Sequence, residues 1–226
     1  MAERLYGRRR GRALGKAQQR LLDELLPRLA VPVDAPAPAE LPALFGGDVG
    51  TVRLEIGFGG GEHLIGQAAL RPDVGFIGVE PFENGMAKAL RAVAERGLEN
   101  VRLFQGDARH VLAWLPDAGV GRIFLFYPDP WPKRRQLKRR FVSAETLGMI
   151  ARVLAPDGEL RFASDSASYV AWTRRAVLDH PALTLAGDSA SPWPGWRSTR
   201  YEEKALAAGR TPRYLTIAPL PRGPQG

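Results

Sequence analysis

Between residues 51 and 218 the chain alternates short apolar runs with stretches whose apolar residues recur three or four apart. The runs VRLEI (52–56), VGFIGV (74–79), VRLFQ (101–105), RIFLFY (122–127) and ELRFAS (159–164) predict strands, and YLTIA (214–218) predicts a late one. Helical periodicity falls near 61–70, 84–97, 108–115, 143–154 and 166–179. Strands separated by helices predict right-handed crossovers and a mostly parallel sheet covered on both faces. The expected fold class is therefore α/β, doubly wound and Rossmann-like. Upstream, Ala17, Leu21, Leu22, Leu25, Leu26 and Leu29 share one face of a predicted amphipathic helix over 16–29. It stops at PVDAPAPAELPAL, a Pro/Ala stretch that reads as a linker. The expected organisation is a basic arm, helix and linker over 1–50, an α/β domain over 51–218, and a flexible tail over 219–226.

Charge changes this picture. The net charge is +8, yet residues 1–20 hold seven basic side chains against Glu3, and KRRQLKRR (133–140) holds six with no acid. Each segment carries +6, so the remainder is mildly acidic, about −4. Concentrated in two short segments, the excess reads as a footprint for a polyanion. The absence of cysteine removes disulfides, Cys-ligated zinc, iron–sulfur clusters and thiol nucleophiles. His63, His110 and His180 are too few and too scattered for a histidine metal site, so no metal is expected. No run approaches ~18 apolar residues, and neither a signal nor a transit peptide is recognisable, so a cytoplasmic protein is expected.

In a doubly wound sheet, ligands sit beyond the carboxyl ends of the strands, and here every strand end carries polar groups. The first ends in Glu55-Ile56-Gly57-Phe58-Gly59-Gly60-Gly61-Glu62. Its glycines suit a tight turn and close backbone approach. Read as a dinucleotide fingerprint from Gly57, the third glycine is replaced by Glu62, and a carboxylate there disfavours a pyrophosphate. The second strand ends at Glu80, which can accept from both hydroxyls of a ribose. Asp107, after the third, can accept from an adenine amino group or cap a helix. Together these acids describe an adenosine pocket without phosphate recognition, as S-adenosylmethionine requires. The fourth strand ends in Tyr127-Pro128-Asp129-Pro130-Trp131-Pro132-Lys133. Its prolines restrict φ and hold each preceding residue extended, so Asp129 and Trp131 ride on a stiff loop, and the indole offers a face for a nucleobase. Asp165 follows the fifth strand, and Trp196 to Lys204 lies beyond a Pro/Gly/Trp loop.

With these residues in view, the chain resembles the bacterial tRNA (guanine-N7-)-methyltransferases that modify the variable-loop guanine, position 46. The resemblance runs through GRALGKAQQR, EIGFGGGEHL, GVEPF, GDAR, YPDPWPKRRQLKRR, FASD and Thr-Arg-Tyr-Glu. It implies a class I fold over 51–218 that binds S-adenosylmethionine, with tRNA as partner and neither membrane nor metal involved. It assigns Glu55, Gly57, Gly59, Glu80, Asp107 and Asp129 to the methyl donor, Asp129 being the catalytic position. It assigns Lys133, Asp165, Thr199, Arg200, Tyr201 and Glu202 to the tRNA. Arg135, Gln136, Leu137, Lys138, Arg139 and Arg140 match the family's RNA-contacting segment.

The chemistry can be argued independently. Guanine N7 has an in-plane lone pair and no proton, so its methylation needs alignment rather than a general base. A carboxylate such as Asp129 would stabilise the positive charge passing onto the purine. Guanine's N1–H and N2 amino group call for an acceptor, for which Asp165 and Glu202 are the candidates. Methylation of an exocyclic amine, or RNA binding by an inactive methyltransferase fold, remain alternatives on the residues alone.

Overall fold

The computed structural model describes residues 9–46 and 48–221, so Arg4 and Arg8 of the basic arm and the end of the tail lie outside the described residues. The chain forms two compact units, Met1–Pro116 and Asp117–Gly226.

In the first unit, strands β1 (Thr51–Ile56), β2 (Val74–Val79) and β3 (Val101–Phe104) lie in the order 3-2-1, all parallel. Helices α3 (Glu62–Leu70), α4 (Glu83–Arg96) and α5 (Ala108–Trp114) follow these strands in turn. Every residue of β2 is buried, as expected of a strand covered on both faces. Two of its glycines make that cover possible. A Cβ at Gly75 would lie 2.5 Å from the Phe45 ring, and one at Gly78 would strike Leu64. These positions face opposite sides of the sheet, so each admits a bulky neighbour from its own side.

Upstream, the predicted helix is interrupted. Helix α1 (Lys16–Arg20) passes into a π turn over Leu21–Leu25 before α2 (Leu26–Leu29). The Leu26 amide bonds back to the Leu21 carbonyl, five residues earlier. The cause is Pro27, which has no N–H and whose ring crowds the preceding turn. The Pro/Ala stretch is partly fastened. The Val31 amide donates to the Leu103 carbonyl at 3.0 Å, Trp114 Nε1 donates to the Ala35 carbonyl at 2.7 Å, and Leu41 and Phe45 are buried.

In the second unit, β4 (Val120–Phe126) pairs parallel with β5 (Leu154–Ser164). The late strand β7 (Arg213–Pro219) runs antiparallel to β5, and β6 (Leu183–Ser189) runs antiparallel to β7. The order is 4-5-7-6. Helices α6 (Ala144–Val153), α7 (Ala167–Leu178) and α8 (Arg200–Ala207) complete it. Strand β6 is not among the strands that the sequence predicts. Only Leu183 of its seven residues is buried, and the register shifts between Leu185 and Gly187, so no clean alternation marks it. Among the described residues no helix is long and apolar enough to cross a membrane.

Candidate active site

The first unit carries three carboxylates, Glu55, Glu80 and Asp107, at the ends of its strands. Between β1 and α3, Gly57, Gly59 and Gly61 take φ values of 72°, 59° and 83°, a region that glycine alone enters without strain. Glu55 is buried, and its Oε2 lies 2.6 Å from Nδ1 of His63 in the first turn of α3. With its proton on Nδ1, His63 donates to that carboxylate and fixes the helix against the strand. Replacing His63 with leucine leaves a buried acceptor without its donor and is expected to lower stability by roughly 1–3 kcal/mol. Thermal melting reads this, and an unchanged Tm would show that Glu55 does not depend on His63.

Glu80 is also buried. Its Oε2 accepts from the Gly59 amide at 2.6 Å, and its Oε1 accepts from the Phe82 amide at 2.9 Å. It thereby clamps the glycine turn to the segment entering α4. Gly85 keeps the two segments close, since a Cβ there would run into the Gly59 carbonyl. Asp107 caps α5, accepting from the Arg109 amide at 3.0 Å, and it pairs with Arg109 Nη2 at 2.5 Å. Burial works to raise its pKa, but the bonds and charge of Arg109 outweigh that and hold the carboxyl below its usual range.

A cavity of about 400 Å³ opens beside Asp107, bounded by Pro81, Phe104, Gly106, His110 and the backbone-pinned Arg9. The lining combines the Phe104 ring and Gly106 with the Asp107 carboxylate, groups that could meet a purine and its exocyclic amine, and it also includes Glu83, Gln105 and Arg10. Glu55 and Glu80 sit in the adjoining turn rather than in this wall. The sequence reading passes over Glu83 and His110, although His110 follows Asp107 by three residues and so shares its side of the helix start. Arg9 enters because its carbonyl accepts from the Glu83 amide at 3.0 Å, which no local pattern signals.

The second unit carries the proline loop. Tyr127 and Trp131, each before a proline, are not extended as the sequence predicts but take positive φ values of 49° and 38°, conformations that cost bulky residues about 1–3 kcal/mol each. Asp129 lies between them and is exposed as a residue, with desolvation pushing its carboxyl up from the ordinary range. A 3₁₀ turn follows over Arg134–Arg139. Lys133, Arg134, Arg135 and Lys138 are exposed there, Gln136 and Leu137 half-buried. The Arg139 guanidinium covers Trp131, 5.0 Å from the ring centre, so one face of the indole is already occupied.

Two residues expected to face RNA are placed otherwise. Arg140 is 5% exposed, with its guanidinium bonded to the Pro130 carbonyl and to Ser168. Glu202 is 3% exposed and accepts from Trp196 Nε1 at 2.6 Å and from the Tyr214 hydroxyl. Phe126, Trp193, Trp196 and Tyr214 surround this carboxylate, their ring centres 4.7 to 5.9 Å apart. Burial and the Glu202 charge together hold the Tyr127 phenol far above its ordinary pKa. Each oxygen of Glu202 thus serves the aromatic cluster, a placement that the guanine-reading role expected from the sequence does not anticipate. Thr199 caps α8 through the Glu202 amide, while Arg200 and Tyr201 point outward, the cation 5.5 Å from the ring centre. Asp165 pairs with Arg210 at 2.5 Å. Among the described residues, no group of three His, Asp or Glu side chains could hold a metal.

A methyltransferase family model matches residues 50–214. The chain is 52% identical over 219 residues to a tRNA (guanine-N(7)-)-methyltransferase of Chelativorans sp. (strain BNC1), covering 95% of this chain and 94% of that relative. It is 53% identical over 190 residues to the enzyme of the same name from Azorhizobium caulinodans, covering 82% and 83%. Among solved structures it is similar to TrmN from Thermus thermophilus, with a TM-score of 0.57 at 21% identity, covering 90% of this chain and 48% of that one. That likeness shows the fold, which is the class I methyltransferase fold, in agreement with the mostly parallel α/β expectation.

Proposed function

Given that this chain belongs to the tRNA (guanine-N7-)-methyltransferase family, we propose that it methylates N7 of the variable-loop guanine, position 46, with Asp129 at the reaction centre. Fold and family imply a methyl donor of the S-adenosylmethionine type, which supplies an electrophilic methyl group on a sulfonium. The donor would be held by Glu55, Gly57, Gly59, Glu80 and Asp107. Gly57 and Gly59 bring bare backbone to it, Glu80 accepts from ribose hydroxyls, and Asp107 with the neighbouring cavity takes the adenine. Glu55 lends negative charge beneath the turn and fixes α3 through His63.

N7 has no proton to remove, so Asp129 acts as an electrostatic and positioning group rather than a base. The observation that carries this reading is the stiff acidic loop running directly into four exposed cations, Lys133, Arg134, Arg135 and Lys138. One chain segment thereby offers a carboxylate for developing positive charge and a neutralising surface for the RNA backbone. Asp165 is the acceptor for the guanine Watson–Crick edge, because its pairing with Arg210 is at the surface and exchangeable. Thr199, Arg200 and Tyr201 present the start of α8 to the same substrate.

Methyl transfer from labelled donor to an unmodified tRNA transcript, beside one with the variable-loop guanine replaced, tests this. Label is expected only in the first, releasable by the chain cleavage characteristic of 7-methylguanine. Equal labelling of both would discard the site, and binding of both ligands without transfer would discard the enzyme.

A further inference from the structure

Six cations between 133 and 140 look equivalent as a charge run, but one of them is turned inward. Arg140 Nε donates to the Pro130 carbonyl at 2.9 Å, Nη1 to the Ser168 carbonyl at 3.0 Å, and Nη2 to Ser168 Oγ at 3.0 Å. Its guanidinium lies 4.8 Å from the centre of the Tyr169 ring and 5.4 Å from that of Trp172. Those rings also grip the chain just past it. The Tyr169 hydroxyl accepts from the Val142 amide at 3.2 Å, and Trp172 Nε1 donates to the Val142 carbonyl at 2.7 Å.

We infer that Arg140 is the positioning residue of the Asp129 loop, fastening it to the first turn of α7, and is not a phosphate contact. Three of its five donors are committed to the protein, its faces lie over aromatic rings, and the residue is 5% exposed, which leaves little of the in-plane donor edge to a phosphate. The bond to Pro130 closes the segment 130–140 on itself, with Trp131 and the 3₁₀ turn inside it. A pull on Lys133, Arg134, Arg135 or Lys138 by a phosphate backbone is therefore resisted at Pro130, next to Asp129. The proline-restricted backbone and two residues at positive φ make the loop stiff but strained, and Arg140 supplies the tertiary bond that over-determines it. This rests on the reading that the Asp129 loop governs methyl transfer.

Arg140→Lys separates the two roles. Lysine keeps the charge a phosphate needs, but a single ammonium cannot span Pro130 and Ser168 as the guanidinium fork does. In the full-length protein, kcat is expected to fall roughly ten- to hundredfold, with the KM for tRNA and its salt dependence unchanged. Hydrogen exchange should quicken at the loop amides of Tyr127, Asp129, Trp131 and Lys133 and not in the strands. Wild-type turnover and exchange in Arg140→Lys, with a raised KM and flatter salt dependence in Arg140→Gln, would overturn the inference and make Arg140 a phosphate contact. Faster loop exchange with unchanged turnover would leave the fastening in place and overturn the reading of the loop as the reaction centre. Where Arg140→Lys does not fold, Ser168→Ala removes one of the three Arg140 bonds, together with the Ser166–Ser168 hydroxyl contact, and no charge, and unchanged loop exchange in it overturns the inference as well.

Discussion

Asp129→Asn is expected to lower kcat by roughly 10²- to 10³-fold while leaving tRNA affinity near its original value. The amide keeps the shape of the side chain and removes only its charge. Methyl transfer moves positive charge from a sulfonium onto a purine, and a fixed negative charge positioned beside the purine favours that movement. The loop raises the Asp129 pKa, so the carboxylate is protonated, and kcat falls, at a higher pH than for an ordinary aspartate near 3.9. The asparagine variant should lack that acid limb. Linkage adds a second sign. A carboxyl whose folded pKa is raised costs stability while ionised, and the cost disappears as pH falls through that pKa. At neutral pH the asparagine variant should therefore melt no lower than the parent. Steady-state kinetics across pH, with melting curves, decide both points, and near-wild-type turnover would remove Asp129 from the reaction centre.

Neutralising the four outward cations together, Lys133, Arg134, Arg135 and Lys138 to Gln, is expected to flatten the salt dependence of tRNA binding. Each phosphate contact contributes about 0.7–0.9 to the slope of log affinity against log salt, so four contacts amount to about 3. Between 50 and 200 mM salt the parent should lose roughly 60-fold more affinity than the variant. Filter binding over that range reads the slope directly, and an unchanged slope would take the segment out of the interface. Arg140 is left out of the set because its guanidinium is spent on Pro130 and Ser168.

The contrast within that segment separates what local pattern carries from what it does not. Strands β1 to β5 and helices α3 to α7 were legible because period-two and helical spacing are properties of neighbours along the chain. The position of Glu55, Glu80, Asp107 and Asp129 at or just beyond strand ends is legible for the same reason, since it follows from where the strands stop. Strand β6 was not, because an edge strand with one buried residue lacks alternation, and the π turn at Leu21–Leu25 depends on a proline whose effect reaches backward. Arg140 and Glu202 are the clearest cases. In sequence they are one cation of six and one acid in a charged helix start. Their roles come from partners far along the chain: Ser168 is 28 residues from Arg140, and Tyr214 is 12 from Glu202. Which side chain turns inward depends on the desolvated aromatic surface and backbone carbonyls waiting there. That is a property of packing between segments, which no spacing along the chain encodes.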